Sequence, residues 1–221
     1  MFKTLSFKLM SVLSIVALLS ACAQPVKRPD YTAFKKSQPR SILVLPPINE
    51  TSDVAATYGV LSQMTLPLAE SGYYVVPVAV MDETFKQNGL TNAAEIQGTS
   101  PAKLREIFGA DAALYSKVSQ YGTVYRILAS ATVVSASAKL VDLRTGDVLW
   151  QGRASASSDE GGNNGGGGLI GMLVVAAVKQ IANTLMDQSH DVAAFTSSRL
   201  LSAGPPNGLL YGPHSPKYGT D

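Results

Sequence analysis

Cysteine occurs once in these 221 residues, histidine twice, and charged side chains make up only 15%. A single Cys excludes an intramolecular disulfide, and one Cys with two His supplies too few ligands for a zinc or iron–sulfur site built within one chain. A cationic excess is missing as well. The formal charge of +2 includes Lys3 and Lys8, which lie in an N-terminal segment read below as removed, and taking those two from the 18 cationic side chains leaves 16 against 16 anionic ones. A formally neutral chain is poorly suited to neutralising phosphates, so nucleic acid is not an expected partner. What is present is an apolar share of 46%, enough to bury a core and to exclude intrinsic disorder.

The N-terminus begins with Lys3 and Lys8, continues as a mostly apolar run from Leu9 to Ala21 and reaches Cys22. That order is a secretory signal, and the run falls short of the ~20 residues a bilayer-spanning helix needs. Leu19-Ser20-Ala21-Cys22 resembles a bacterial lipobox. The resemblance implies cleavage before Cys22 and acylation of its thiol, so the lone cysteine is an anchor in membrane lipid. Ala23 and Gln24 follow where an Asp would favour inner-membrane retention, which implies the outer membrane, facing the periplasm. Residues 22–40, with Pro25, Pro29, Pro39 and five cations, read as a lipidated tether; residues 204–221, rich in Gly and Pro, read as a flexible tail whose Leu209, Leu210, Tyr211 and Tyr218 could dock. Between them, residues 41–203 suit one domain.

Within that domain, Ser41 to Leu45 is an apolar run stopped by Pro46-Pro47, as in a buried strand. Asn49, Ser52 and Asp53 offer helix caps before Val54, Tyr58, Leu61, Met64 and Leu68, which recur at helical spacing. Tyr73 to Val78 is a second strand, placed at an edge by Pro77. One or two short helices over 79–98 precede Ser100-Pro101, a cap and first helical position, and Gly109 closes that helix. From Ala112 to Ser157 the pattern becomes alternation. Val134, Ala136, Ala138 and Leu140 face one way and Ser135, Ser137 and Lys139 the other; a turn at Arg144-Thr145-Gly146-Asp147 leads into a strand with Val148, Trp150, Ala154 and Ala156 inward.

Ile42-Leu43-Val44-Leu45-Pro46-Pro47, Gly109-Ala110-Asp111-Ala112-Ala113-Leu114-Tyr115 and Leu140-Val141-Asp142-Leu143-Arg144-Thr145-Gly146-Asp147-Val148-Leu149-Trp150 occur in an order that resembles the periplasmic domain of the curli-secretion lipoprotein CsgG and the amino-terminal domain of TolB. The lipobox and residues 41–200 together resemble a family of uncharacterised bacterial lipoproteins grouped with CsgG. The resemblance implies an α/β (α+β) fold, a mixed sheet of three to five strands with helices packed on it. It also implies a non-enzymatic role in an envelope assembly or export complex, with other envelope proteins, CsgG-like lipoproteins among them, as partners. The chain departs from CsgG in lacking a pair of long alternating hairpins able to cross an outer membrane.

A catalytic centre is not legible. Gly166, Gly168 and Gly171 satisfy G-x-G-x-x-G, but seven of the eleven residues 161–171 are glycine, no strand precedes them, and no acid ends a second strand. His190 sits beside Asp191 near the end of an expected helix, where a cation suits the helix dipole; His214 lies in the tail, and no G-x-S-x-G elbow exists. Asp82-Glu83 and Asp159-Glu160 read as solvated surface. No catalytic residue, metal ligand or cofactor is therefore expected. Leu169 to Gln188 reads as a helix whose first half has no charge, so Leu169, Ile170, Met172, Leu173 and Val174 must be covered all round by the same domain, a neighbouring subunit in a homo-oligomer, or lipid. These five are the candidate partner interface. The rival expectation is a periplasmic small-ligand binder or enzyme with a pocket at the sheet edge.

Overall fold

Residues 29–125, 130–160 and 188–221 are described by the computed structural model. One hydrophobic core runs through them, from Phe34 to Leu210. In chain order the elements are α1 (Thr32–Ser37), β1 (Ser41–Val44), β2 (Ile48–Asn49), α2 (Ala56–Glu70), β3 (Tyr74–Val75), α3 (Val78–Gln87), α4 (Ala93–Gln97), α5 (Pro101–Phe108), β4 (Ala112–Tyr125), β5 (Ser130–Asp142), β6 (Val148–Ser157) and α6 (Gln188–Leu201). The mixed α/β architecture is the expected one, with six strands among the described residues rather than three to five. Their order is β3-β1-β4-β5-β6, with β2 beside β4.

The first half of the sheet is parallel. β1 pairs with β3 on one side and with Ala112–Leu114 on the other, and β2 resumes against Lys117 and Val118 once Pro46 and Pro47, which have no N–H to donate, have interrupted the ladder. Right-handed crossovers place α2 and the α3–α5 group on opposite faces, because β1→β3 and β3→β4 step in opposite directions along the sheet. Ile42, Leu43, Val44 and Leu45 are consequently all buried. From β4 onward the sheet is antiparallel: β4 pairs with β5 from Ala112 and β5 with β6, forming two hairpins, and α6 packs against α2 and over β5 and β6.

α2 begins later than its cap residues suggest. Asp53 Oδ1 accepts from Ala55 N (2.9 Å) and Asn49 Oδ1 from Thr51 N (2.8 Å), so these side chains shape the run-in and leave the N-cap to Ala55. Val54 then precedes the helix and is 91% exposed, Tyr58 is half-exposed, and the inward stripe is Val60, Leu61, Met64, Pro67 and Leu68. The remaining caps follow expectation: Ser100 Oγ accepts from Lys103 N, Pro101 opens α5, and Gly109 closes it in the left-handed region.

Two bulges reset the side-chain parity of the antiparallel half. Leu140 pairs with Trp150 but Val141 with Val148, so Leu149 is the extra residue. Leu149 is buried and Val148, expected inward, is 49% exposed; a one-residue insertion moves each earlier position to the opposite face. Trp150 lies across Gly152, where a Cβ would fall 2.4 Å from the indole, so only glycine admits the ring there. Gly146 has φ +80° in the turn joining β5 to β6.

The packed unit extends beyond 41–203 at both ends. α1 lies inside the expected tether, buries Phe34 and contacts β6. The expected flexible tail buries Leu209 and Leu210, and its backbone is bonded along its length: Tyr31 Oη donates to Gly208 O (2.6 Å), Trp150 Nε1 to Asn207 O (2.9 Å), and Gly212 N to Ser71 O (2.8 Å). Its apolar residues outweigh its Gly and Pro content because they cover core surface left bare by the sheet and helices. Among the described residues no helix is long and apolar enough to cross a membrane.

Candidate functional site

The motif residues that carry the resemblance hold backbone. Asp142, 2% exposed, ends β5 and accepts from Ser37 Oγ (2.5 Å), Arg144 N (2.6 Å), Thr145 N (3.2 Å) and Arg144 Nη2 (3.3 Å). Burial pushes its pKa up, but these donors outweigh it and hold the carboxyl below the usual carboxylate range. Arg144 Nη2 also donates to Ser37 O (2.7 Å), so the β5–β6 turn fastens α1 to the sheet. Asp111 does the same for β1, accepting from Arg40 N (3.0 Å) and Ser41 N (3.3 Å) while its own N–H donates to Ser41 Oγ (3.0 Å). Carboxylates so engaged are anchors rather than acids or bases for a substrate.

The other candidates for chemistry are separate from one another. His190 lies within α6, well before its C-terminal end, and not at the helix terminus expected for it; its Nε2 is 2.6 Å from Gln63 Nε2. His214 contributes its backbone N–H to Gly72 O (3.0 Å). Asp82 accepts from Lys86 (2.5 Å) and from Tyr58 Oη (3.1 Å), Glu83 from Gln87 (2.9 Å), and Glu160 pairs with Arg199 (2.5 Å). Burial first, then the Asp82 hydrogen bond, raises the Tyr58 phenol. Among the described residues no three of His, Cys, Asp and Glu come together as a metal site.

A cleft of about 190 Å³ opens between α1 and the C-terminal segment, lined among others by Phe34, Lys35, Tyr73, Tyr211, Tyr218 and Asp221. Three of its polar groups are engaged within the chain: Tyr73 Oη donates to Leu210 O (2.5 Å), Lys35 Nζ to Asp221 O (2.8 Å), and Tyr211 N to Asp221 Oδ2 (2.7 Å). Burial first, and then the Asp221 charge, drives the Tyr73 phenol well above its ordinary range, so it stays a neutral donor.

One face of the antiparallel sheet is open to solvent. Lys117, Ser137 and Arg153 form one row across β4, β5 and β6, and Tyr115, Lys139 and Gln151 form the next. Ser137, Lys139, Gln151 and Arg153 are exposed, and a second polar chain runs through Gln120, Ser135 and Ser155 at 2.8 Å spacings. The outward positions of β5 are legible from alternation alone. The row joining Lys117 to Arg153 is not, because it depends on register across two bulged ladders. Cys22, the glycines at 166, 168 and 171, and Leu169, Ile170, Met172, Leu173 and Val174 lie outside the described residues.

Fold and site together define a mixed α/β domain with one open polar sheet face, whose recurring motif residues serve its own backbone. The chain belongs to the family described as "Putative lipoprotein GNA1162-like", which matches residues 29–214. It is 56% identical over 203 residues to the putative lipoprotein NMB1124/NMB1162 of Neisseria meningitidis serogroup B (strain ATCC BAA-335 / MC58), covering 91% of this chain and 93% of that protein. The crystal structure of lipoprotein GNA1162 from Neisseria meningitidis is 58% identical with a TM-score of 0.53, over 66% of this chain and 100% of that one. Membership places the protein among the membrane-anchored lipoproteins of the cell envelope.

Proposed function

We propose that this is a non-enzymatic outer-membrane lipoprotein, held by acylated Cys22 and facing the periplasm, whose domain binds protein partners in an envelope assembly or export complex. Residues 1–21 are the signal peptide in this reading, and the chain from Cys22 to the start of α1 is the tether. The observation that carries it is the contrast within the domain. The motif carboxylates Asp111 and Asp142 and the cleft tyrosine Tyr73 are bonded within the chain, whereas a sheet face with three cations is left for contact. The link to CsgG-type secretion rests on the motif resemblance alone. The apolar residues from Leu169 to Val174 are a second contact surface of the same reading, including self-assembly.

Two experiments test it. Cys22→Ser should abolish incorporation of labelled palmitate and release the protein from the outer-membrane fraction; a variant that keeps both sinks the anchor. Crosslinking in intact cells should then join the wild-type protein to other envelope proteins in preference to small metabolites, and the Leu173→Glu change should reduce any self-assembly seen by sedimentation while the fold survives. Turnover of a periplasmic metabolite by the purified full chain would replace this reading with an enzymatic one.

A further inference from the structure

β6 is the last strand in the sheet order, and among the described residues no strand pairs with its far side. Ser158 N donates to Thr132 O at 2.9 Å, which sets the phase of the ladder. An antiparallel ladder repeats every two residues, so the main-chain groups at Trp150, Gly152, Ala154 and Ala156 point toward β5 and those of Gln151, Arg153 and Ser155 point away. Arg199 Nη1, donating to Ser155 O from outside at 2.9 Å, agrees with that phase. Gln151 and Arg153 therefore present N–H and C=O groups along an open edge, and their side chains stand on the open face. Lys117 is bridged to Glu50 (2.8 Å) and Lys139 Nζ sits 5.3 Å from the centre of the Tyr115 ring, while Arg153 pairs with no acid among the described residues. Behind the edge, Gly152 and Ala154 are small and half-buried.

A charge on an edge strand commonly guards it against indiscriminate pairing. A cationic guard repels cationic or apolar strands and favours an acidic one. We infer that β6 accepts an extended acidic segment of a partner protein as an added strand. Its carboxylates lie on the open face against Arg153 and Lys139, and its alternate, small side chains lie on the opposite face beside Ala154. Pairing is centred on Gln151 and Arg153, because Arg199 already holds the Ser155 carbonyl. Main-chain hydrogen bonds supply the affinity and the alternating side chains the specificity. The inference rests on the partner-binding reading above and names the chemistry of one partner.

The test uses the full chain in detergent, titrated with a fluorescent eight-residue peptide of alternating Glu and Thr and with its Lys–Thr counterpart. Two variants separate charge from strand pairing: Arg153→Glu reverses the cation, and Gln151→Pro removes an N–H that faces away from β5, a position where an edge strand tolerates proline. The Glu peptide should bind about tenfold or more tighter than the Lys peptide, and each variant should lose about tenfold or more of that affinity. In the wild-type complex the amides of Gln151 and Arg153 should gain exchange protection. Equal binding of the two peptides, or no binding of either, overturns the inference. So does retention of affinity by Gln151→Pro when Arg153→Glu loses it, which would instead mark a diffuse site for a polyanion. Should Gln151→Pro fail to fold, protection of the two wild-type amides decides the matter: present, it supports the added strand; absent, it overturns it. Persistence of Cys22-dependent anchoring and in-cell crosslinks beside a negative peptide result would leave the broader reading standing.

Discussion

In the parallel half of the sheet Ile42, Leu43, Val44 and Leu45 are buried one after another, whereas in the antiparallel half Ser135 to Leu140 alternate between half-buried or exposed polar residues and buried apolar ones. Helices lie on both faces of the first region and on one face of the second. The same sheet is thus core at one end and surface at the other. Composition follows coverage: a strand enclosed on both sides has no position for a charge, while one enclosed on a single side can display Lys117, Lys139 and Arg153 to a partner.

The comparison breaks most sharply if the two halves respond alike to truncation. Leu43→Ala, in the doubly covered half, is expected to cost about 2–5 kcal/mol in chemical denaturation, since a fully buried leucine leaves a cavity on whichever face it fills. At the junction, Asp142→Asn should cost about 1.5–3 kcal/mol, because the charged acceptor of four donors becomes neutral. Its pH dependence has a definite sign. A carboxyl whose pKa is lowered in the folded protein adds stability that is full above the unfolded value of about 3.9 and is lost as pH falls through the lower folded value. The gap between wild type and variant should therefore be constant near neutrality and close only below about pH 4. A gap that closes between neutrality and pH 5 would assign the effect to another group.

Within the antiparallel half, Gly152→Ala should cost about 1–3 kcal/mol and shift the emission of Trp150, the chain's only tryptophan, by forcing the indole off the strand. Gly146→Ala should cost about 1 kcal/mol, since open space surrounds a Cβ there and only the positive φ resists it. The smallest effect belongs to the open face: Lys139→Ala should change stability by less than about 0.5 kcal/mol. A large loss there would mean that this face is not free surface.

Much of this was legible in order along the chain. The apolar run at Ser41–Leu45, the cap at Ser100, the stop at Gly109 and the turn at Gly146 each have a local cause, so they appear where local rules put them. α6 was less legible beyond Gln188, because Ser189, Thr196, Ser197 and Ser198 are indifferent helix formers whose places come from packing on α2 and β5. Of the site, the outward side chains of β5 were readable, whereas their union with Lys117 and Arg153 was not.

Sequence alone determined the lipoprotein character, the strand–helix–strand opening and the alternating second half, because these rest on short motifs and on periodicity. Tertiary structure alone decided that Asp142 binds Ser37 more than a hundred residues earlier, and that Phe34, Leu209 and Leu210, from segments reading as tether and tail, join one core. It also decided which side of β6 has no strand paired to it among the described residues. The physical reason is common to all three: burial and pairing depend on what lies across space, and a bulge of one residue at Leu149 or a docked loop at Asn207 changes the outcome without changing the local pattern.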